Sequence, residues 1–107
     1  KRLVDYERKK YSRFMKEYIV EGSIKEWMVE NTDEVFENVL ESCERFVGKN
    51  TFDIMKLVTI TGVTIFKISN KDSVLSALNK CEKYFVANEE YEKAARTRDC
   101  SKLWQLL

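Results

Sequence analysis

The cleanest hydrophobic rhythm in the chain runs from Val35 to Val47. Val35, Phe36, Val39, Leu40, Cys43, Phe46 and Val47 recur every three or four residues, the spacing that lines one face of a helix. Asn31 or Thr32 can cap its start, Asp33 and Glu34 bring negative charge to its first turn, and Gly48 stands where helices commonly stop. Upstream, Tyr11, Phe14, Met15 and Tyr18, with Val4 one heptad before Tyr11, predict a helix from Leu3 to Val20. Gly22 offers it a stop, and Ser23 can cap a short helix carrying Ile24, Trp27 and Met28. Downstream, Val74, Leu75, Leu78, Cys81 and Phe85 predict a helix capped by Asn70 or Asp72. A break near Asn88 separates it from a last helix over about Glu89–Leu106, so the two form an antiparallel helical hairpin.

Between these helical stretches the pattern changes. Thr51, Val58, Thr59, Ile60, Thr61, Val63, Thr64, Ile65 and Ile68 are β-branched and favour strands. Thr61-Gly62 can turn a hairpin between two such runs. A buried helix from Thr51 to about Thr61 is the rival reading, since Phe52, Met55 and Thr59 would share a face; the density of branched residues favours the hairpin. An isolated two-stranded hairpin is marginal in water, so it must pack on the helices. The expectation is a mainly α fold: one small helical domain over 1–107, with a helical part at 1–48, a β-prone connector at 49–69 holding a short hairpin at about 55–68, and an antiparallel helical hairpin at 70–107.

Composition narrows the chemistry. The chain has 107 residues and no histidine, which removes the commonest general base, metal ligand and nucleophile activator. It also has no proline and only three glycines, so long helices meet little opposition. Cys43, Cys81 and Cys100 form no Cys-x-x-Cys pair, which argues against a structural zinc site and for a reducing compartment, the cytoplasm by default. Cys43 falls on the apolar stripe and reads as a small core residue. No apolar run approaches the roughly 18 residues of a membrane-spanning helix. We therefore expect no enzyme, no cofactor, no metal and no membrane. The first residue is lysine rather than methionine, which leads us to expect a piece of a longer chain. The preference for Lys, Glu, Asn and Ile is the usage of an AT-rich genome, as in phages and low-GC bacteria.

The formal charge of +1 hides a polarised distribution. Residues 1–16 balance at +5, residues 17–48 at −7 and the remainder at +3. The first segment sets Arg8, Lys9, Lys10, Arg13 and Lys16 among Tyr6, Tyr11 and Phe14, a mixture that can follow a phosphate backbone and stack bases; the bland alternative is a solvated helix face. The acidic segment sets Asp33, Glu34, Glu37, Glu41 and Glu44 at helical spacings; such a row reads as a solvated face that can attract a basic partner.

The last quarter carries the run Glu89-Glu90-Tyr91-Glu92-Lys93-Ala94-Ala95-Arg96-Thr97-Arg98-Asp99. Tyr91, Ala94, Ala95 and Arg98 fall on one helical face, and the small alanines let another helix approach closely. Residues from about 74 to 106 resemble the UVR motif, the helical hairpin of the bacterial excision-repair proteins UvrB and UvrC. Glu90-Tyr91-Glu92-Lys93-Ala94-Ala95 and the closing Arg98-Asp99 carry the likeness, with Leu78 and residues 81–85 in place of the first helix's apolar positions. Thr97 and Ser101 stand where that family has large aliphatic residues. The resemblance implies a non-catalytic protein-binding hairpin, often paired with another such hairpin, which would make a homodimer through this element. Repair chemistry does not transfer with it, since the chain has no phosphate-binding Gly-x-x-x-x-Gly-Lys-Ser/Thr loop.

These readings converge on a protein-protein interaction or regulatory module that docks onto another protein, within an assembly that processes nucleic acid. Tyr91, Ala94, Ala95, Arg98, Asp99 and Trp104 are the candidate contact residues. The alternative is a nucleic-acid-binding module led by the basic first segment. Leu103-Trp104-Gln105-Leu106-Leu107 is strongly apolar for a chain end and is expected to fold back onto the domain.

Overall fold

The computed structural model describes residues 16–107. Its elements in chain order are β1 (Lys16–Ile19), α1 (Ile24–Glu30), α2 (Thr32–Arg45), β2 (Phe52–Thr59), β3 (Gly62–Ile68), α3 (Lys71–Ala87) and α4 (Tyr91–Gln105). The protein is a small, mainly α domain with a β-hairpin in the middle and a helical hairpin at the C-terminal end.

The helix boundaries follow local chemistry. Ser23 Oγ accepts from the Glu26 amide at the start of α1, and Asn70 Oδ1 accepts from the Ser73 amide at the start of α3. At the junction of α1 and α2, Asn31 does not cap through its side chain; its Nδ2 donates back to the Trp27 carbonyl at 2.9 Å. The turn between α3 and α4 is a Schellman closure, with the Glu90 amide bonded to the Phe85 carbonyl and the Glu89 amide to that of Val86. Glu89 takes the left-handed position there, at φ 58°, where glycine is usual.

The hairpin reading holds, and the rival helix over residues 51–61 does not form. The register pairs Thr59 with Gly62, so the loop is Ile60-Thr61, one residue earlier than expected. The Thr59 hydroxyl braces it, 3.2 Å from both Thr61 Oγ1 and the Gly62 carbonyl. A register shift between Asp53 and Met55 turns Ile54 and Met55 both inward.

One expectation fails. The helix predicted from Leu3 to Val20 is not helical at its C-terminal end: Lys16–Ile19 is a strand, so the helical part assigned to 1–48 is not wholly helical. The rest of that predicted helix lies outside the described residues. β1 pairs in parallel with β2, Lys16 opposite Met55 through Ile19 opposite Val58, giving a three-stranded sheet in the order β1-β2-β3. Tyr18 is half-buried and Val20 buried while Ile19 is exposed, the alternation of a strand rather than a helix. A hairpin alone leaves one edge of β2 unpaired. The backbone of β1 satisfies that edge, which outweighs a weak local preference for helix.

The core lies between sheet and helices. It gathers Leu40 and Cys43 from α2, Phe52, Met55 and Leu57 from β2, Leu78, Cys81 and Phe85 from α3, and Cys100 and Trp104 from α4. Trp104 is 2% exposed and donates its Nε1–H to the Cys43 carbonyl at 2.9 Å, which ties the last turn of α4 to α2. The C-terminal segment therefore folds back through Trp104, while Leu103, Leu106 and Leu107 stay exposed.

Glu89→Gly tests the strained turn. It removes a left-handed conformation costing about 1–2 kcal/mol, against an added unfolded-state entropy cost of about 0.4–1 kcal/mol for glycine. A net gain of about 0.5–1 kcal/mol is expected by urea unfolding, with an unchanged m-value; a loss of stability would contradict the αL assignment.

Candidate docking surfaces

Helix α4 does not present the face that its sequence suggests. Ala94, Thr97, Cys100 and Trp104 are buried, so the inward stripe takes two of the six predicted contact residues, Ala94 and Trp104, into the core. A buried side chain cannot meet a partner, and these two are withdrawn as contacts. Ala95 is half-buried, and Tyr91, Arg98 and Asp99 lie outside; Tyr91 is 63% exposed. Arg98 and Asp99 make only a loose solvated pair at 3.9 Å. Thr97, one of the two residues that depart from the UVR pattern, is fully buried, and its hydroxyl donates to the Lys93 carbonyl at 2.7 Å, so the polar atom is satisfied inside the helix.

Two cations of the run, Lys93 and Arg96, are paired within the domain. Lys93 pairs with Glu37 on α2 and, at 3.1 Å, with Glu90. Arg96 grips Glu44 with both arms, Nη2 at 2.6 Å and Nε at 3.3 Å. Both cations are held above their ordinary pKa, Lys93 mainly by its bond to Glu37 and Arg96 mainly by its bond to Glu44. Glu37 and Glu44 of the acidic row of α2 thus face α4. Two more of its members are engaged elsewhere: the Tyr84 hydroxyl donates to Asp33, and the Tyr18 hydroxyl donates to Glu34 at 2.6 Å while accepting from Asn38. Burial and then the Glu34 bond push the Tyr18 phenol up to about 12; for Tyr84 the Asp33 bond leads, again to about 12.

Three thiols meet where α2, α3 and α4 join, and all three are buried and free. Burial is the first cause of their shifts: it pushes Cys81 up to about 12, Cys100 to about 11, and Cys43 higher still, with the Cys100 thiol adding to the first and last of these. Thiols so raised are packing groups rather than nucleophiles. Among the described residues no group of three or more His, Cys, Asp or Glu is placed to hold a metal ion, and no helix is long and apolar enough to cross a membrane. Of the predicted nucleic-acid contacts, Arg8, Lys9, Lys10 and Arg13 lie outside the described residues, and Lys16 is exposed at the start of β1.

The surface that the helical motif did not predict is the outer face of the sheet. Register sets Ile19, Val58 and Val63 side by side across the three strands, with Glu17, Lys56 and Ile65 in the next row. Ile19 is 81% exposed, Val63 55% and Ile65 46%, and Ile60 at the turn is 97% exposed. Glu17 and Lys56 pair at 3.0 Å, and Asp53 stands opposite Lys67. A sequence signal was available: Val58 to Phe66 is nine residues without a charge. A second, shallow apolar groove lies along α1 and the start of α2, lined by Ile24, Met28, Val29, Val35 and Phe36.

Two measurements test this picture. A double-mutant cycle with Glu37→Gln and Lys93→Gln is expected to give a coupling of about 0.5–1 kcal/mol that shrinks with added salt, since both side chains are partly solvated; a coupling near zero at low salt would remove the pair from the α2–α4 contact. The raised thiols and phenols set the alkaline limit. Unfolded thiols lose their protons from about pH 8.5, while the native ones hold them, so the unfolded state binds fewer protons and stability falls with rising pH. Their contribution is intact below about pH 8.5 and is lost between there and about pH 12. The urea midpoint should decline across that window while native thiolate absorbance at 240 nm lags behind; thiols that react freely with an aromatic disulfide at pH 8 in the folded protein would contradict their burial. Comparison with protein-family models, with curated proteins and with solved structures finds no match to this chain, so no relative supplies a role for any of these residues.

Proposed function

We propose that this chain is a non-enzymatic interaction or regulatory module that docks onto another protein. The observation that carries this reading is the outer face of the sheet, where Ile19, Ile60, Val63 and Ile65 leave a cluster of branched apolar side chains in water. Single exposed apolar residues need no explanation, but a contiguous patch in one register is the mark of a contact surface. Chemistry finds no comparable support. Histidine is absent from the sequence, the three thiols are buried with raised pKa values, and four of the α2 carboxylates are bonded to neighbouring side chains.

The outer row on α4, with Tyr91, Arg98 and Asp99 exposed and Ala95 half-buried, is a second candidate contact. Pairing through the inner face of the helical hairpin is disfavoured, because Ala94, Thr97, Cys100 and Trp104 are already packed within the domain. The likeness of residues 74–106 to the UVR hairpin is the reason to look for a partner first among nucleic-acid-processing proteins.

Affinity capture from the native cell extract, read by mass spectrometry, tests the reading with two surface variants. Val63→Lys combined with Ile65→Lys is expected to abolish capture of the specific partner, with an unchanged circular dichroism spectrum; Arg98→Glu reports on the α4 row in the same way. A partner set identical in the wild type and both variants would overturn the proposal.

A further inference from the structure

We propose that the partner on the sheet is a second copy of this chain, joined through the free edge of β3 into a two-fold dimer with one continuous sheet. The proposal rests on the docking reading above and names its occupant. β3 is the last strand of the sheet, and among the described residues it is hydrogen-bonded to β2 alone. Its outer edge therefore carries backbone donors and acceptors suited to strand addition. Edges are normally guarded by lysine, proline or a covering element. Here Val63, Thr64 and Ile65 are all exposed, the chain contains no proline, and Lys67 is the one charge on the strand.

Self-pairing is favoured by where that charge falls. A two-fold axis beside the edge makes the pair antiparallel, so residues are matched about a centre. Centred on Thr64, Lys67 meets Thr61 of the second copy; centred on Ile65, it meets Val63. In neither register does Lys67 face its own copy; centred on Thr64, Val63 to Ile65 meet only one another, and centred on Ile65 the one charge that reaches them is Lys67 beside Val63. The outer face agrees, since Glu17 and Asp53 balance Lys56 and Lys67, so two such faces lie side by side without net repulsion. Nucleic acid or a strongly charged protein would find no net field there to bind. Pairing would also bring the Ile65 and Val63 side chains of both copies together on one surface. The contact is small, at the weak end of specific interfaces, so the dimer exchanges with monomer.

Sedimentation equilibrium on the full chain, from about 1 to 500 μM, is expected to show monomer–dimer exchange, the range suited to a small interface. Val63→Lys with Ile65→Lys places four lysines around the axis and should weaken association more than about ten-fold while circular dichroism holds. Thr64→Cys or Ile65→Cys should give a disulfide-linked dimer under mild oxidation, and Leu103→Cys on α4 should not. A wild type that stays monomeric throughout, a dimer unaffected by the double lysine variant, or equal cross-linking from Leu103→Cys would each overturn the second-copy proposal. The two readings part at the variant: if the wild type is monomeric but the double lysine variant loses a heterologous partner, self-pairing fails and docking stands. If neither oligomeric state nor capture responds to that variant, both fail.

Discussion

One helix must serve two layers, and the rest of the structure depends on how α2 does so. Its buried side carries Leu40 and Cys43 into the core shared by the sheet and the C-terminal hairpin. The backbone carbonyl of Cys43 receives the Trp104 indole, so the chain's last turn is anchored to the middle of the fold. Around this apolar seam the carboxylates of α2 meet Lys93 and Arg96 on α4, Tyr84 on α3 and Tyr18 on β1. Burial supplies most of the energy. The solvated pairs add little each; the buried stripe of Ala94, Thr97, Cys100 and Trp104 marks the face of α4 that turns inward.

That arrangement changes what the acidic and basic segments mean. A row of five acids followed, half a chain later, by Lys93, Arg96 and Arg98 invites a search for outside partners. In the folded protein much of that charge is matched internally, and the helical hairpin spends its small-residue stripe on its own domain. Among the described residues, an exposed apolar surface lies on the outer face of the sheet, where branched residues turn outward. Strand edges and helix faces differ in this respect. A helix satisfies its own backbone, whereas an edge strand keeps hydrogen-bonding capacity for another chain.

Much of the architecture was legible because it rests on local rules. The stripe of α2, the caps at Ser23 and Asn70, the break at Asn88 and the β-branched hairpin each follow from residues close in sequence. The strand at Lys16–Ile19 was not legible, since its conformation depends on β2, which begins more than thirty residues later. Spacing that suits a helix over so few residues also suits a strand. The candidate site was less legible still. Tyr91, Arg98 and Asp99 are exposed, whereas Ala94 and Trp104 are buried in the domain's own core, Trp104 bonded to the Cys43 carbonyl of α2. Nothing within α4 states which neighbour its small residues approach.

Taken alone, the amino-acid order determined the elements from α1 onward and excluded histidine-based chemistry, because periodicity, capping and composition act within a few residues or not at all. Tertiary structure decided which apolar groups remain outside. Ile19, Val58 and Val63 are far apart or unremarkable in the sequence, and only strand register brings them into one exposed row. Long-range pairing also decided that Lys93 and Arg96 answer to Glu37 and Glu44 and that, among the described residues, β3 is bonded to β2 alone.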